Sequence, residues 1–281
     1  MQTQTRQIAA IHDLSGYGRA SLTVVIPILS AMGIQVCPLP TAVLSSHSEY
    51  KNYHSIDLTT HMQPIINHWK ELKLEFDAIY SGYLASAEQI IIVKNFIKDF
   101  KKDKQLVIID PVMGDNGTLY PGISEDLVKE MKSLIKEADI ITPNITEAAL
   151  LSGINISNNS SIQEIKSCAK KLADLGAKNI IITSTPSSKK NETSVLTYEK
   201  ETDTYNIISN EYIDASFPGT GDAFTSVVTG SLLNGDNIKL AINNATEFII
   251  NGIKATIKRD YDPLNGINQE EVIPLLKTLY N

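Results

Sequence analysis

The sequence predicts an α/β domain built on a mainly parallel sheet, and three observations predict it. Short β-branched runs alternate with longer stretches of helical period. The runs are brief and apolar, as strands covered on both faces must be, and the segments after several of them are rich in Gly, Pro and Asp. Residues 7–11 (QIAAI), 34–39, 76–80 (FDAIY), 105–110 (QLVIID) and 139–142 (DIIT) are the expected early strands. Between them, residues 20–32, 62–73, 87–101 and 124–137 carry apolar residues at helical spacing and are expected to cover the sheet faces. The stretch 21–37 is apolar but holds Pro27 and Gly33 and is shorter than a bilayer requires, so it reads as a buried helix followed by a strand. Beyond Gly153, residues 161–175 are helical and 179–183 (NIIIT) return to the sheet. Residues 194–198 and 204–209 form an antiparallel hairpin, with the polar stretch 184–193 before it as an exposed loop. The last third is helical over 221–234, 236–257 and 269–280, interrupted by a turn-rich stretch at 260–266. With 281 residues and no composition break, repeat or low-complexity tract, a single domain over 1–281 is expected.

Composition excludes several classes of function. Hydrophobic residues at 42% and charged residues at 20% suit a globular chain able to bury a large core. A formal net charge of -7 argues against nucleic acid or an anionic membrane as a partner, though it leaves room for a local basic pocket. Cys37 and Cys168 stand far apart and outside any CxxC spacing, which fits neither a disulfide framework nor a zinc site and points to a reducing cytoplasm. The N-terminal stretch carries Arg6 and meets Asp13 early, the wrong pattern for a secretory signal.

In open α/β sheets ligands bind outside the carboxyl ends of the strands, so the loops after the runs are where chemistry is expected. In Ser216-Phe217-Pro218-Gly219-Thr220-Gly221-Asp222 a Gly-rich turn runs straight into an apolar helix. Its glycines let backbone approach an anion, the unpaired N–H groups of the first turn stabilise charge on a transferring phosphoryl group, and Asp222 can orient and deprotonate an alcohol. By itself the segment is equally a helix start with a favourably placed acid. Asp110-Pro111-Val112-Met113-Gly114-Asp115 places a carboxylate at a strand end, suited to Mg²⁺, before a Gly-rich turn; alone it is equally a strand terminator. Thr142-Pro143-Asn144-Ile145-Thr146-Glu147 offers an amide for a phosphate oxygen and a carboxylate for metal-bound water, and is equally a capping box. Ile11-His12-Asp13-Leu14-Ser15-Gly16-Tyr17-Gly18 follows the first strand and matches neither GxGxxG nor GxxxxGK[ST], so a dinucleotide fold and a P-loop gain no support. His47, His54, His61 and His68 recur every seven residues, but Pro64 and the polar stretch around Asn52 argue against one continuous helix carrying a metal stripe. Trp69 is expected in the core.

Taken together, Asp110 to Gly114, Thr142-Pro143-Asn144 with Glu147, and Gly219-Thr220-Gly221-Asp222 stand in an order and spacing that resembles the ribokinase-like vitamin kinases. Ser81-Gly82-Tyr83-Leu84 and Ala42-Val43-Leu44-Ser45-Ser46-His47-Ser48 narrow the resemblance to the pyridoxal and pyridoxamine kinases, over nearly the whole chain. The resemblance implies a three-layer α/β/α ribokinase-like fold with a central, mostly parallel sheet, an active-site lid and a homodimer. It implies an ATP-dependent kinase for the 5′-hydroxymethyl group of a vitamin B6 vitamer, with ATP and Mg²⁺ and room for a monovalent cation such as K⁺. Carried over by position, Asp222 resembles the base, and the backbone of Gly219, Thr220 and Gly221 the anion hole. Asp110, Asp115, Thr142, Asn144, Glu147, Thr183 and Ser184 resemble the ATP side, with Asp110 and Glu147 as metal-shell members. Ala42, Leu44, His47, Ser48 and Tyr83 resemble the residues around the pyridine ring. Asp13 departs from the family's Ser; a carboxylate at the ring's polar edge would favour a protonated nitrogen or a cationic amine, and so pyridoxamine. Hydroxymethylpyrimidine kinase shares the Asp-Pro-Val-Met strand end and the Gly-rich turn and is the nearest alternative; a catalytically silent nucleotide- or pyridoxal-binding protein is another, against which the intact Asp222 argues.

Overall fold

Four successive residues of the first strand, 8–11, are wholly buried, as the uninterrupted apolar run QIAAI requires of a strand covered on both faces. In this computed structural model, which describes residues 5–187, 189–259 and 262–280, the chain forms two compact units, Met1–Gly82 with Ile213–Asn281, and Tyr83–Tyr212. Asp260 and Tyr261, part of the turn expected at 260–266, lie outside the described residues.

The first unit opens with β1 (Gln7–Ser15), α1 (Leu22–Ala31), β2 (Gln35–Leu44), β3 (Ser55–Asp57), α2 (Thr59–Glu71) and β4 (Ala78–Ser81). Strand β1 pairs in parallel with β2 on one side and β4 on the other, and the short β3 closes on β2 antiparallel. The β1/β2 register breaks between His12 and Leu14, and such an irregularity re-aims side chains at the strand's carboxyl end. Both strands run past the lengths expected from the sequence, because pairing with a neighbour outweighs the turn-forming residues Pro38 and Pro40. Helix α2 accommodates Pro64 while burying Met62 and Ile66; the histidine series is broken instead by β3, which leaves His47 and His54 off any helix. Trp69 is half-buried, its ring 5.6 Å from that of Phe76.

The second unit comprises α3 (Ala87–Phe100), β5 (Leu106–Ile109), β6 (Gly114–Asp115), β7 (Thr118–Leu119), α4 (Glu125–Leu134), β8 (Ile140–Ile141), α5 (Ile145–Ser152), α6 (Ile162–Leu175), β9 (Asn179–Pro186), β10 (Glu192–Glu199) and β11 (Thr204–Glu211). Strands β5, β8 and β9 are parallel, and β10 and β11 add the expected antiparallel hairpin at β9. The small ribbon β6/β7 follows the Asp110-Pro111 strand end, an element too short to leave a periodic signal.

The chain then returns to the first unit as α7 (Thr220–Leu233), α8 (Ile238–Ile257) and α9 (Gln269–Tyr280). Helix α7 is buried continuously over residues 222–231, which its small side chains permit, and the Ser226 and Thr229 hydroxyls donate back to the Asp222 and Thr225 carbonyls. No described helix is long and apolar enough to cross a membrane.

Candidate active site

Helix α7 begins at Gly219, whose φ is 76° and whose backbone lies against the Arg19 carbonyl: a Cβ there would sit 2.2 Å from that oxygen. Only glycine satisfies both conditions. No side chain caps the helix, so its first-turn N–H groups, at the positive end of the dipole, remain directed outward from Thr220 and Gly221. Asp222 lies in this first turn, 9% exposed. Its Oδ2 accepts the Ser21 backbone N–H at 2.6 Å, and its Oδ1 stands 3.0 Å from His12 Nε2. Ser21 adopts φ 58° and ψ -138°, a conformation that costs a non-glycine residue about 1–3 kcal/mol and here aims its N–H at the carboxylate.

The His12 ring is fully buried and meets a second carboxylate on its other edge: Nδ1 is 2.9 Å from Asp13 Oδ1, while Asp13 Oδ2 accepts the Ser15 hydroxyl at 3.0 Å. Burial opposes a charged imidazole, but the Asp222 carboxylate and the hydrogen bonds to Asp13 and Asp222 push His12 up to about 10. Asp13 in turn is held below the ordinary carboxyl range: its burial works the other way, and the His12 hydrogen bond and charge outweigh it. Space for the ring comes from Gly82, where a Cβ would come 2.0 Å from His12 Cδ2.

An aromatic cluster lies nearby in the same unit. His47 Nε2 donates to the Leu264 carbonyl at 2.6 Å, and its Nδ1 is buried without a partner. The rings of His47 and Tyr50 are 4.7 Å apart and those of Tyr17 and Tyr50 5.4 Å, with the Tyr50 hydroxyl on Asn265 Oδ1 at 2.9 Å. A cavity of about 270 Å³ is lined by Gly16, Tyr17, Gly18, Arg19 and Asn265. Ala42 and Leu44 are buried on β2, and Ser48 is exposed just past His47.

In the second unit the acid-bearing loops are joined by Glu147. Its two oxygens accept the backbone N–H groups of Met113 (3.0 Å) and Asn144 (2.9 Å), and Asn144 returns the capping box by accepting the Glu147 N–H at 2.9 Å. The Asn144 amide donates to the Gly114 carbonyl at 2.8 Å, fixing the turn after Asp110. Burial first, and then the neighbouring Asp110 carboxylate, raise Glu147 well above the usual range against the pull of those N–H groups. Thr142 is buried, Thr183 bridges to Asn144 in parallel, and Asp115 and Ser184 are exposed, Ser184 with a φ of 55°. Among the described residues no three His, Cys, Asp or Glu side chains gather as a metal site.

A family model described as phosphomethylpyrimidine kinase matches residues 20–265, a span that holds the α7 turn and the Asp110, Asn144 and Glu147 loops. The chain belongs to the phosphomethylpyrimidine kinase family. A solved structure of a putative phosphomethylpyrimidine kinase from Bacteroides thetaiotaomicron, in an orthorhombic form with pyridoxal, is 50% identical with a TM-score of 0.94, over 97% of this chain and 96% of that one. The structure of pyridoxal kinase from Lactobacillus plantarum is 28% identical with a TM-score of 0.89, over 99% and 98% of the two chains. Among curated proteins, pyridoxine kinase of Bacillus subtilis is 34% identical over 67% of this chain and 66% of its own length. These likenesses put the chain in the α/β ribokinase-like fold with a mostly parallel sheet, as the resemblance implied.

Within this phosphomethylpyrimidine kinase family chain, the first unit brings together Gly219, Thr220, Gly221 and Asp222, with Asp13 linked to them through His12. The second joins Asn144, Glu147 and the loop after Asp110. The Asp13 carboxylate, expected at the ring's polar edge, meets His12 and Ser15 within the protein. Sequence reasoning missed His12 and Ser21. A histidine closing a buried apolar run, followed directly by an acid, was a signal for the first; nothing local marks the second, whose backbone does the work.

Proposed function

We propose that this chain is an ATP-dependent kinase that phosphorylates the 5′-hydroxymethyl group of a vitamin B6 vitamer, pyridoxal, pyridoxamine or pyridoxine. The observation that carries the reading is Asp222, held by His12 and the Ser21 N–H on the uncapped first turn of α7. Asp222 takes the hydroxyl proton as the alcohol oxygen forms its bond to the γ-phosphorus, and the bond from that phosphorus to the β-phosphate oxygen breaks to leave ADP. The first-turn N–H groups of Gly219, Thr220 and Gly221 meet the charge on the transferring group. Ala42, Leu44, His47, Ser48 and Tyr83 surround the heteroaromatic ring, with the unpartnered His47 Nδ1 as a ready polar contact for a ring substituent.

On the ATP side we place Asp110, Asp115, Thr142, Asn144, Glu147, Thr183 and Ser184. Asp110 and Glu147 fit a Mg²⁺ ion: burial and then the neighbouring Asp110 carboxylate raise Glu147, and a cation there would offset both. Each Glu147 oxygen already accepts a backbone N–H, so the ion would be held largely through water and phosphate oxygens. Bound there, Mg²⁺ supplies neutralisation of phosphate charge. We further propose one kinase domain over residues 1–281, a homodimer, and action in the cytoplasm.

The second reading is hydroxymethylpyrimidine kinase, favoured by the description of the matching family model. ATP consumption against pyridoxal, pyridoxamine, pyridoxine and hydroxymethylpyrimidine, with Mg²⁺ and K⁺ each present and absent, decides between them. Turnover confined to hydroxymethylpyrimidine would overturn the B6 reading. We keep Asp13 among the substrate-side residues: a carboxylate at the ring's polar edge would favour pyridoxamine over pyridoxal, and equal specificity constants for the two vitamers in the native protein and in Asp13→Ser would overturn that preference.

A further inference from the structure

We infer that His12 is a positioning residue for phosphoryl transfer: as an imidazolium clamped between Asp13 and Asp222, it fixes the Asp222 carboxylate and compensates its charge beside the incoming phosphates. The inference deepens the kinase reading and rests on it. Geometry carries the argument. Both ring nitrogens face carboxylate oxygens, at 2.9 Å and 3.0 Å, and a neutral imidazole has only one N–H to give. Neutral His12 would leave a lone pair against one of two buried carboxylates; the imidazolium donates to both. The Asp13 backbone N–H also points at Nδ1 from 2.9 Å, as a donor to a lone pair there would, and on this inference the facing carboxylate charge outweighs that single N–H dipole.

The groups packed around the ring are consistent with this state. Asp13 and Ser15 come from β1, Asp222 comes from α7, and Tyr80 of β4 meets the imidazole edge-on at 6.3 Å, so two acids from two elements face the one ring. Gly82 is shaped around the ring, and the strained Ser21 N–H holds the other Asp222 oxygen, so the carboxylate is fixed at both atoms by groups that would otherwise have little reason to be there. A polyanionic phosphate chain arriving at the α7 turn repels Asp222, and a buried positive charge 3.0 Å away offsets that repulsion at the moment the base is needed. Asp13 thereby acts through His12: its carboxylate keeps the imidazole protonated, and Ser15 holds that carboxylate.

Two measurements test the inference. In uniformly ¹⁵N-labelled native protein, long-range ¹H–¹⁵N spectra should show both His12 nitrogens protonated through pH 8; a ring that titrates near its ordinary value overturns the inference without any variant. In kinetics, His12→Gln, which keeps a donor but loses the charge, should lower kcat by roughly 10²-fold while ATP affinity by calorimetry stays within about twofold, and His12→Ala should fall further. Asp13→Asn should move the alkaline limb of kcat downward by about one pH unit or more, a shift that a merely structural role would not produce. Native kcat in His12→Gln, or an unmoved alkaline limb in Asp13→Asn, overturns it. Absence of turnover by the native protein on every vitamer sinks the substrate reading and the assignment of His12 to that reaction, while the spectra decide the clamp by themselves.

Discussion

At the scale of single residues, Asp222 shows how burial and partners turn an ordinary acid into a directed one. In the sequence it is the third residue of a helix, where an Asp is favoured by the dipole alone. In the fold both of its oxygens are committed to donors from β1 and from the loop before α1. Replacing it by alanine should lower turnover by about 10²-fold or more while leaving ATP affinity, measured by calorimetry, largely intact. Gly219→Ala should also impair turnover, because its Cβ meets backbone rather than a movable side chain; unchanged kcat would remove that turn from the anion hole.

Among the elements, strand ends and helix starts carry the site, and their legibility differs. The capping box of α5 is readable from Asn144 and Glu147 alone, since both bonds are made within one turn. That reading explains the helix start but leaves out the larger part of what the pair does: Glu147 also holds Met113, and Asn144 also holds Gly114, thirty and more residues earlier. Asn144→Ala should therefore cost more than the roughly 1 kcal/mol of a simple cap. Urea unfolding checks the stability, and a KM for ATP that rises in the same variant would show that the loop after Asp110 has lost its anchor. The hairpin β10/β11 and the helices α3 and α6 were legible to within a few residues because their periodicity is sustained; the β6/β7 ribbon and β3 were not, being too short to show any.

For the whole molecule, the buried His12 ties stability to pH. Its pKa rises from 6.5 to about 10 on folding, so the native state binds more protons than the unfolded chain between those values. The stabilisation is fully present below pH 6.5 and is lost as pH rises toward 10, at up to about 1.4 kcal/mol per pH unit. Chemical denaturation across this range should show the decline in the native protein and a flatter profile in His12→Gln; a native profile as flat as the variant's would exclude a charged His12.

The alternation of apolar runs and helical stretches, and the Gly, Pro and Asp that follow the runs, determined the fold class and pointed to the loops at 110–115, 142–147 and 219–222 without any coordinates. These are local properties, set by which residues can be buried together and which backbone angles they accept. The clamp on Asp222 is different: His12 lies 210 positions away, and only folding brings that second carboxylate to a ring that water no longer reaches. Proximity of that kind, and the shift in protonation that comes with it, is a property of the packed chain and was decided by the tertiary structure alone.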